Sequence, residues 1–332
     1  MTKLSFLDLV NVVEGESSGD AIRRVGPVAA HAEALGYHRY WIAEHHGMAG
    51  VAAAATSLII AEAGRATSTM RVGSGGIMLP NHSPYIIAEQ FGTLDAMFPG
   101  RVDLGLGRAP GADGRLIRAI RHDFMKEAED FPRNVVELRA HLTGEPDLGL
   151  VAVPGRGADI QMWILGSSLF GAQLAAALGM PYAFASHFAP DHLDEALEIY
   201  RRDFRPSQHL SEPYCAAAMS AVAADTTEEA EYVASSMMQN FVALRTGRPG
   251  KLPAPVKNYM ASLDPAVSAM MAHVMQCAVF GSVEDVTRGL KRFIKRTGVD
   301  EVIVHSPAFD PAARMKSVEL IAKAFEALEV PA

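Results

Sequence analysis

The chain of 332 residues lacks most of the features that would place it in a specialised class. It has two cysteines, Cys215 and Cys277, far apart and each inside an apolar run. That excludes a disulfide framework and gives no metal-site spacing, so buried free thiols in a reducing cytoplasmic setting are expected. No apolar run approaches the roughly 20 residues of a membrane span. Asp8 and Asn11 interrupt the N-terminal stretch too early for a signal-peptide core. Lysines and arginines are scattered and the net charge is −8, so neither nucleic acid nor a membrane is an expected partner. No domain boundary is visible, and a single domain over residues 1–332 with a small-molecule partner is the expectation.

What the chain does have is apolar content of 49%, enough to bury a large core. Apolar runs bounded by turn residues read as strands at Leu4–Val10, Tyr40–Ala43, Arg71–Met78, Val102–Leu106, Gln161–Leu165, Tyr182–Ala185, Tyr214–Ala223 and Glu301–His305. Helical patterns fall between them. One runs from Asp20 to Gly36 with Pro27 kinking it or delaying its start, one covers Val51–Gly64, and one begins at Ser83–Pro84. Another starts at Asp225 or Thr226 with a capping-box pattern, and helices are expected up to Cys277 and again from Ser282. Eight alternations define a (β/α)8 TIM barrel, with insertions after strands 4 and 7 making up the extra length.

In such a barrel the loops after the strands converge on one mouth. The stretch GRVDLGLGRAPG, residues 100–111, puts Arg108 on a glycine-rich turn closed by Pro110 and Gly111. Its glycine spacing is one residue too long for a dinucleotide fingerprint, so it reads either as an anion-binding turn or as a structural turn with a solvated arginine. Ser167 and Ser168 open a helix, either as an anion site at its free N–H groups or as plain caps. Gly75 and Gly76, His187 and His305 also fall at or just past strand ends. Of Glu44, His45 and His46, neighbours on an extended chain point to opposite faces, so one histidine at most reaches the mouth and no metal site is expected. That histidine is either a general acid or base or a satisfied rim residue.

Taken together, YWIAEHHG, VGSGGIMLPNHSP, LDAMFPGRVDLGLGRAPG and WILGSSLFGAQLAAALGMPYAFASHFAP resemble the bacterial luciferase-like flavin monooxygenases over nearly the whole chain. The nearest branch includes oxygenases of antibiotic biosynthesis. The resemblance implies a (β/α)8 barrel that binds reduced FMN, uses dioxygen as co-substrate through a flavin hydroperoxide, and inserts one oxygen atom into a small organic substrate. It implies His45 as the catalytic histidine and Gly75 and Gly76 as the site of a non-proline cis peptide beside the flavin ring. Arg108, Ser167 and Ser168 match the phosphate contacts. Gly107 stands where light-emitting members carry a cysteine, so light emission is not implied. His187 and His305 are weaker candidates for the substrate pocket, and Thr246–Pro255 is a candidate lid. No second nucleotide site is visible, so a separate NAD(P)H:flavin reductase is expected, and a homodimer is the expected assembly. The alternatives are a deazaflavin-dependent oxidoreductase on the same barrel and a non-catalytic flavin-binding protein.

Overall fold

A computed structural model of the chain describes residues 2–109, 119 and 124–328. Its strands are β1 (Lys3–Asp8), β2 (Arg39–Ile42), β3 (Arg71–Met78), β4 (Val102–Gly107), β5 (Gln161–Gly166), β6 (Tyr182–Phe184), β7 (Cys215–Ala223), β8 (Ala278–Gly281) and β9 (Glu301–His305). Every pairing between them is parallel. β1 to β7 pair in chain order, and β9 lies between β7 and β1 and closes the ring. Eight strands therefore form a closed barrel with helices between them, the (β/α)8 architecture the alternation predicts.

The ninth strand is a difference. β8 pairs only with the C-terminal half of β7, from Ser220 to Ala223, outside the ring. Its four residues lie between the short 3-10 turn Met275–Cys277 and the helix Val283–Thr297. A run that short beside a strong helix start carries no period of its own.

Local chemistry sets the helix ends. Ser17 and Asp20 form a reciprocal capping box that starts the helix Ser18–Arg23. The chain breaks at Arg24, and Pro27 becomes the third residue of the helix Val25–Ala34, where a missing N–H costs nothing. Pro27 thus delays a second helix rather than kinking one long helix. The helix expected from Val51 begins instead at Thr56, because Val51 forms an antiparallel bridge with Asn11 and the Ala52 N–H bonds the Val10 carbonyl. Thr226 caps the helix Thr227–Arg245 by accepting from the Glu229 N–H.

Alternation along the strands sorts the core into two parts. Phe6, Tyr40, Ile42, Val72 and Leu104 face outward into the layer shared with the helices. Leu7, Trp41, Trp163, Ala183, Ala216, Ala218 and Ile303 fill the barrel interior. The interior is lopsided, with two tryptophans on β2 and β5 facing alanines on β6 and β7. Both cysteines are buried free thiols, and burial pushes the Cys215 thiol up to about 11.

The insertion after strand 4 lies partly outside the described residues, and so do Pro110 and Gly111. The insertion after strand 7 is a strap. Leu252, 1% exposed, bridges to Val13, and its backbone bonds Val12 and Glu14, while Lys251 Nζ donates to the Glu16 carbonyl. The loops after β1, β2 and β7 are therefore stitched together on the mouth side. Thr246–Pro255 is tied down at its middle, unlike a free flap. No helix among the described residues is long and apolar enough to cross a membrane.

Candidate active site

Four consecutive strands carry the site. β2 leads into His45, β3 ends in Gly75, Gly76 and Met78, β4 runs into Gly107 and Arg108, and β5 hands over to Ser167 and Ser168. The Gly75–Gly76 peptide is cis, as the resemblance implies. A Cβ on Gly76 would lie 2.6 Å from the Gly105 carbonyl oxygen, a backbone clash that requires glycine, and one on Gly75 would lie 2.8 Å from Leu7 Cδ1, so that the leucine would have to shift. Gly107 differs. A Cβ there would meet Met78 Sδ at 3.4 Å, an ordinary contact, so its hydrogen side chain leaves open space instead of relieving a clash.

Arg108 is exposed, and its guanidinium lies over the Phe170 ring at 4.0 Å. Phe170 belongs to the helix Leu169–Leu178, whose N-cap is Ser168. The structure thus brings the arginine of β4 to the helix start after β5. Ser168 has the extended backbone of a cap but makes no side-chain capping bond. The first-turn N–H groups therefore stay open on the side where Arg108 sits, the arrangement that favours an anion.

The three residues after Ala43 divide as the strand period predicts. Glu44, 1% exposed, points away from the interior, where Oε1 accepts from His46 Nε2 at 2.6 Å and His82 Nε2 at 2.8 Å and Oε2 accepts from the Met78 N–H at 3.1 Å. Burial works against its charge, yet these donors hold its carboxyl down to about 2. Glu44 raises His46 in turn. The donor atoms of Glu44, His46 and His82 lie within 4.8 Å of one another, close enough to hold a cation. The two short separations are nevertheless those of hydrogen bonds donated to a carboxylate, which ties the end of β2 to the end of β3.

His45 takes the other face. Its Nδ1 is buried without a partner among the described residues, and burial lowers its pKa against the opposing pull of Glu44. His187, just past β6, and His305, the last residue of β9, share this region, with ring centroids 5.6 Å apart. His187 Nδ1 and both ring nitrogens of His305 are also buried without partners among the described residues. Burial, reinforced by neighbouring histidines, holds His187 at about 4 and His305 at about 3. The sequence placed all three at strand ends but had no means of seeing them converge.

Two groups at the mouth escaped sequence reading. Asp8, the last residue of β1, is buried and pairs with Arg314 Nη2 at 2.8 Å, also accepting from Tyr40 and from the Val10 N–H. Burial raises its pKa, but Arg314 and these donors outweigh that and leave it lowered. His82 is the other, readable in hindsight only as a polar residue in the LPNHSP turn.

Comparison with known proteins fits this geometry. The family model for luciferase-like monooxygenases matches residues 2–301. A luciferase-like monooxygenase of Escherichia coli K12 is 46% identical over 317 residues, 95% of each chain. An N-acetyl-S-alkylcysteine monooxygenase of Bacillus subtilis is 31% identical over 98% of each. The crystal structure of apo-MsnO8 superimposes with a TM-score of 0.88 at 32% identity, covering 98% of this chain and 99% of that one. The chain belongs to the luciferase-like monooxygenase family, a family of enzymes. Two more distant structures share the fold alone. One is the oxygenating constituent of 3,6-diketocamphane monooxygenase with FMN, at 17% identity and TM-score 0.74. The other is an F420-dependent secondary alcohol dehydrogenase, at 15% and 0.71.

Proposed function

We propose that this chain is an FMN-dependent monooxygenase that accepts reduced FMN from a separate NAD(P)H:flavin reductase and, with dioxygen, places one oxygen atom on a small organic substrate. It acts as a single barrel domain, paired as a homodimer. The observation that carries this reading is the row of adjacent strand ends, from the buried His45 through Gly75 and Gly76 to Arg108 beside the open helix start at Ser168.

These residues fit the cofactor. Arg108, Ser167, Ser168 and the free N–H groups of the first helical turn would hold its phosphate, as a guanidinium and a helix N-terminus hold anions generally. Gly75 and Gly76, with no side chains, would present bare backbone to its ring, and Gly107 would leave room beside it. When bound, reduced FMN supplies the electrons that activate dioxygen. The chain's own residues do the rest. His45, kept in its basic form by burial, accepts and returns a proton at a ring nitrogen, a role worth about 10²- to 10⁴-fold in rate. The strapped loops above the mouth and the apolar interior exclude water.

Rapid mixing of the protein and reduced FMN with aerated buffer tests the reading. The expected result is tight binding of reduced FMN and a multiphase return of oxidised-flavin absorbance, altered in His45→Ala. An unchanged time course with preferential binding of reduced F420 would favour the deazaflavin alternative, which the fold shared with the F420-dependent dehydrogenase keeps in view. Equal oxygen consumption and equal substrate conversion by wild type and His45→Ala would overturn the catalytic role of His45 and favour a non-catalytic flavin-binding protein.

A further inference from the structure

Gly75 and Gly76, which would face the flavin ring, belong to neither of the ladders that flank them. The β2–β3 register ends at Ile42↔Ser74, and the β3–β4 register shifts between Ser74 and Ile77. A backbone outside its ladders keeps its place through other bonds. Glu44 supplies two, one at the second glycine and one just beyond the pair. Its N–H donates to the Gly76 carbonyl at 3.4 Å, and its Oε2 accepts from the Met78 N–H at 3.1 Å. Met78 in turn lies beside the space at Gly107, where its Sδ is 3.4 Å from the position a Cβ would take. The carboxylate is itself held, because His46 and His82 both donate to Oε1. Glu44 is also the residue before His45. Neighbours on an extended chain point to opposite faces, so a Glu44 side chain fixed outward fixes His45 inward.

We propose that Glu44 is the positioning residue of this site: by gripping the Gly76–Met78 backbone and orienting His45, it sets the histidine ring and the flavin-facing backbone in one fixed relation. Glu44 points away from the interior, so it acts through His45 and β3 and not on the reacting groups. Proton transfer needs its partners within hydrogen-bond reach, and a displacement of about 1 Å can cost on the order of 10²-fold in rate. A carboxylate suits the task better than an amide. It has acceptor sites only, so the Met78 N–H and two imidazole N–H groups can all donate to it, whereas a glutamine turns its NH2 towards one side or the other. The inference rests on the proposed FMN-dependent reading for what His45 and the glycines do, and its test separates the two.

A double-mutant cycle with His45→Ala tests it, read as the return of oxidised-flavin absorbance after the protein and reduced FMN meet aerated buffer. Glu44→Ala should slow the His45-dependent phase by on the order of 10²-fold. In the His45→Ala background the same substitution should change the residual rate by less than about twofold, because the relation it sets no longer matters. Glu44→Gln, which keeps the shape and one acceptor oxygen, should fall between wild type and Glu44→Ala. His82→Ala, at a partly exposed position, should slow the same phase less than Glu44→Ala, and it carries the cycle if Glu44→Ala does not fold. The ratio of FMN to riboflavin affinity, which reports on Arg108, should stay at the wild-type value throughout. In the flavin-free protein, the His45 ring ¹⁵N resonances should broaden or split in Glu44→Ala, and the Met78 amide should exchange faster. Equal slowing with and without His45, or His45 resonances that match wild type in both Glu44→Ala and His82→Ala, would overturn the proposal and leave Glu44 a residue of stability alone. Wild type that fails to bind reduced FMN, or a time course indifferent to His45→Ala, would strike the flavin reading instead, and the resonances would then decide on Glu44 by themselves.

Discussion

The two ends of the barrel interior handle buried polarity in opposite ways. At the base, Arg39, 2% exposed, bonds Asp103 Oδ2 at 2.7 Å, Glu301 Oε1 at 2.8 Å and Gln161 Oε1 at 3.0 Å. Arg71 Nε and Trp41 Nε1 complete Asp103, while Ser5 and Tyr214 complete Glu301. Every charge there is paired and every carboxylate oxygen is occupied. At the mouth, four or more residues further along the barrel wall, three histidines hold buried nitrogens with no hydrogen-bond partner among the described residues. A network that satisfies itself has no use for a ligand and works as a joint between strands. One left unsatisfied costs stability when empty and recovers it on binding. Base and mouth are thus distinguishable by their hydrogen bonds alone, the one satisfied within itself and the other not.

The largest expected effect tests the base. Arg39→Met removes one charge and leaves Asp103 and Glu301 buried and short of partners, so unfolding free energy from denaturant titration should fall by about 3 to 5 kcal/mol. FMN affinity of the fraction that remains folded should be unchanged. A loss below about 1 kcal/mol would mean that the network is as dispensable as a surface pair.

The mouth should show its cost through pH. His187 and His305 have folded-state pKa values lowered from 6.5 to about 4 and about 3. The unfolded chain therefore takes up protons below pH 6.5 that the folded chain refuses. Stability is full above about pH 7 and falls as the pH drops through this window towards 3 to 4, by on the order of 3 kcal/mol for each histidine. His305→Leu should flatten the pH 4 to 6.5 limb of the stability curve and leave pH 8 nearly unaffected. A limb as steep as wild type would show that the folded protein admits the proton.

Smaller effects belong to the phosphate jaw. Arg108→Ala should weaken FMN by about 1.5 to 3 kcal/mol, the range for a hydrogen bond to a charged group. Riboflavin, which lacks the phosphate, should lose much less. Phe170→Leu, which removes the ring under the guanidinium, should cost FMN about 0.5 to 1 kcal/mol. Calorimetric titration with both ligands separates these outcomes, and equal losses for FMN and riboflavin would remove Arg108 from the phosphate site.

Much of this architecture is legible in the sequence, because strands and helices here obey their own local rules. Arg71–Met78 and Glu301–His305 are read to the residue, and the glycines after the helices Leu169–Leu178 and Val283–Thr297 stop them in left-handed conformations. What escaped depends on tertiary partners. Val51–Ala55 has helical composition but is claimed by the loop after β1. The strap exists because Leu252 finds Val12 and Val13, more than 200 residues away. Glu44 looked like one more polar residue in a histidine-rich turn, since His82 and the Met78 N–H reach it only once β2 and β3 lie side by side. The histidine trio follows the same rule: positions can be counted along a chain, but whether a buried nitrogen has a partner cannot.

The two cysteines carry one further consequence, concerning how long such a molecule lasts. A thiol is attacked by oxidants as its thiolate, and a buried group with its pKa near 11 is almost never in that form at neutral pH. Cys277 is buried and shifted in the same direction. A luciferase-like monooxygenase thus keeps its only sulfhydryls, both buried, chemically silent towards oxidants at neutral pH.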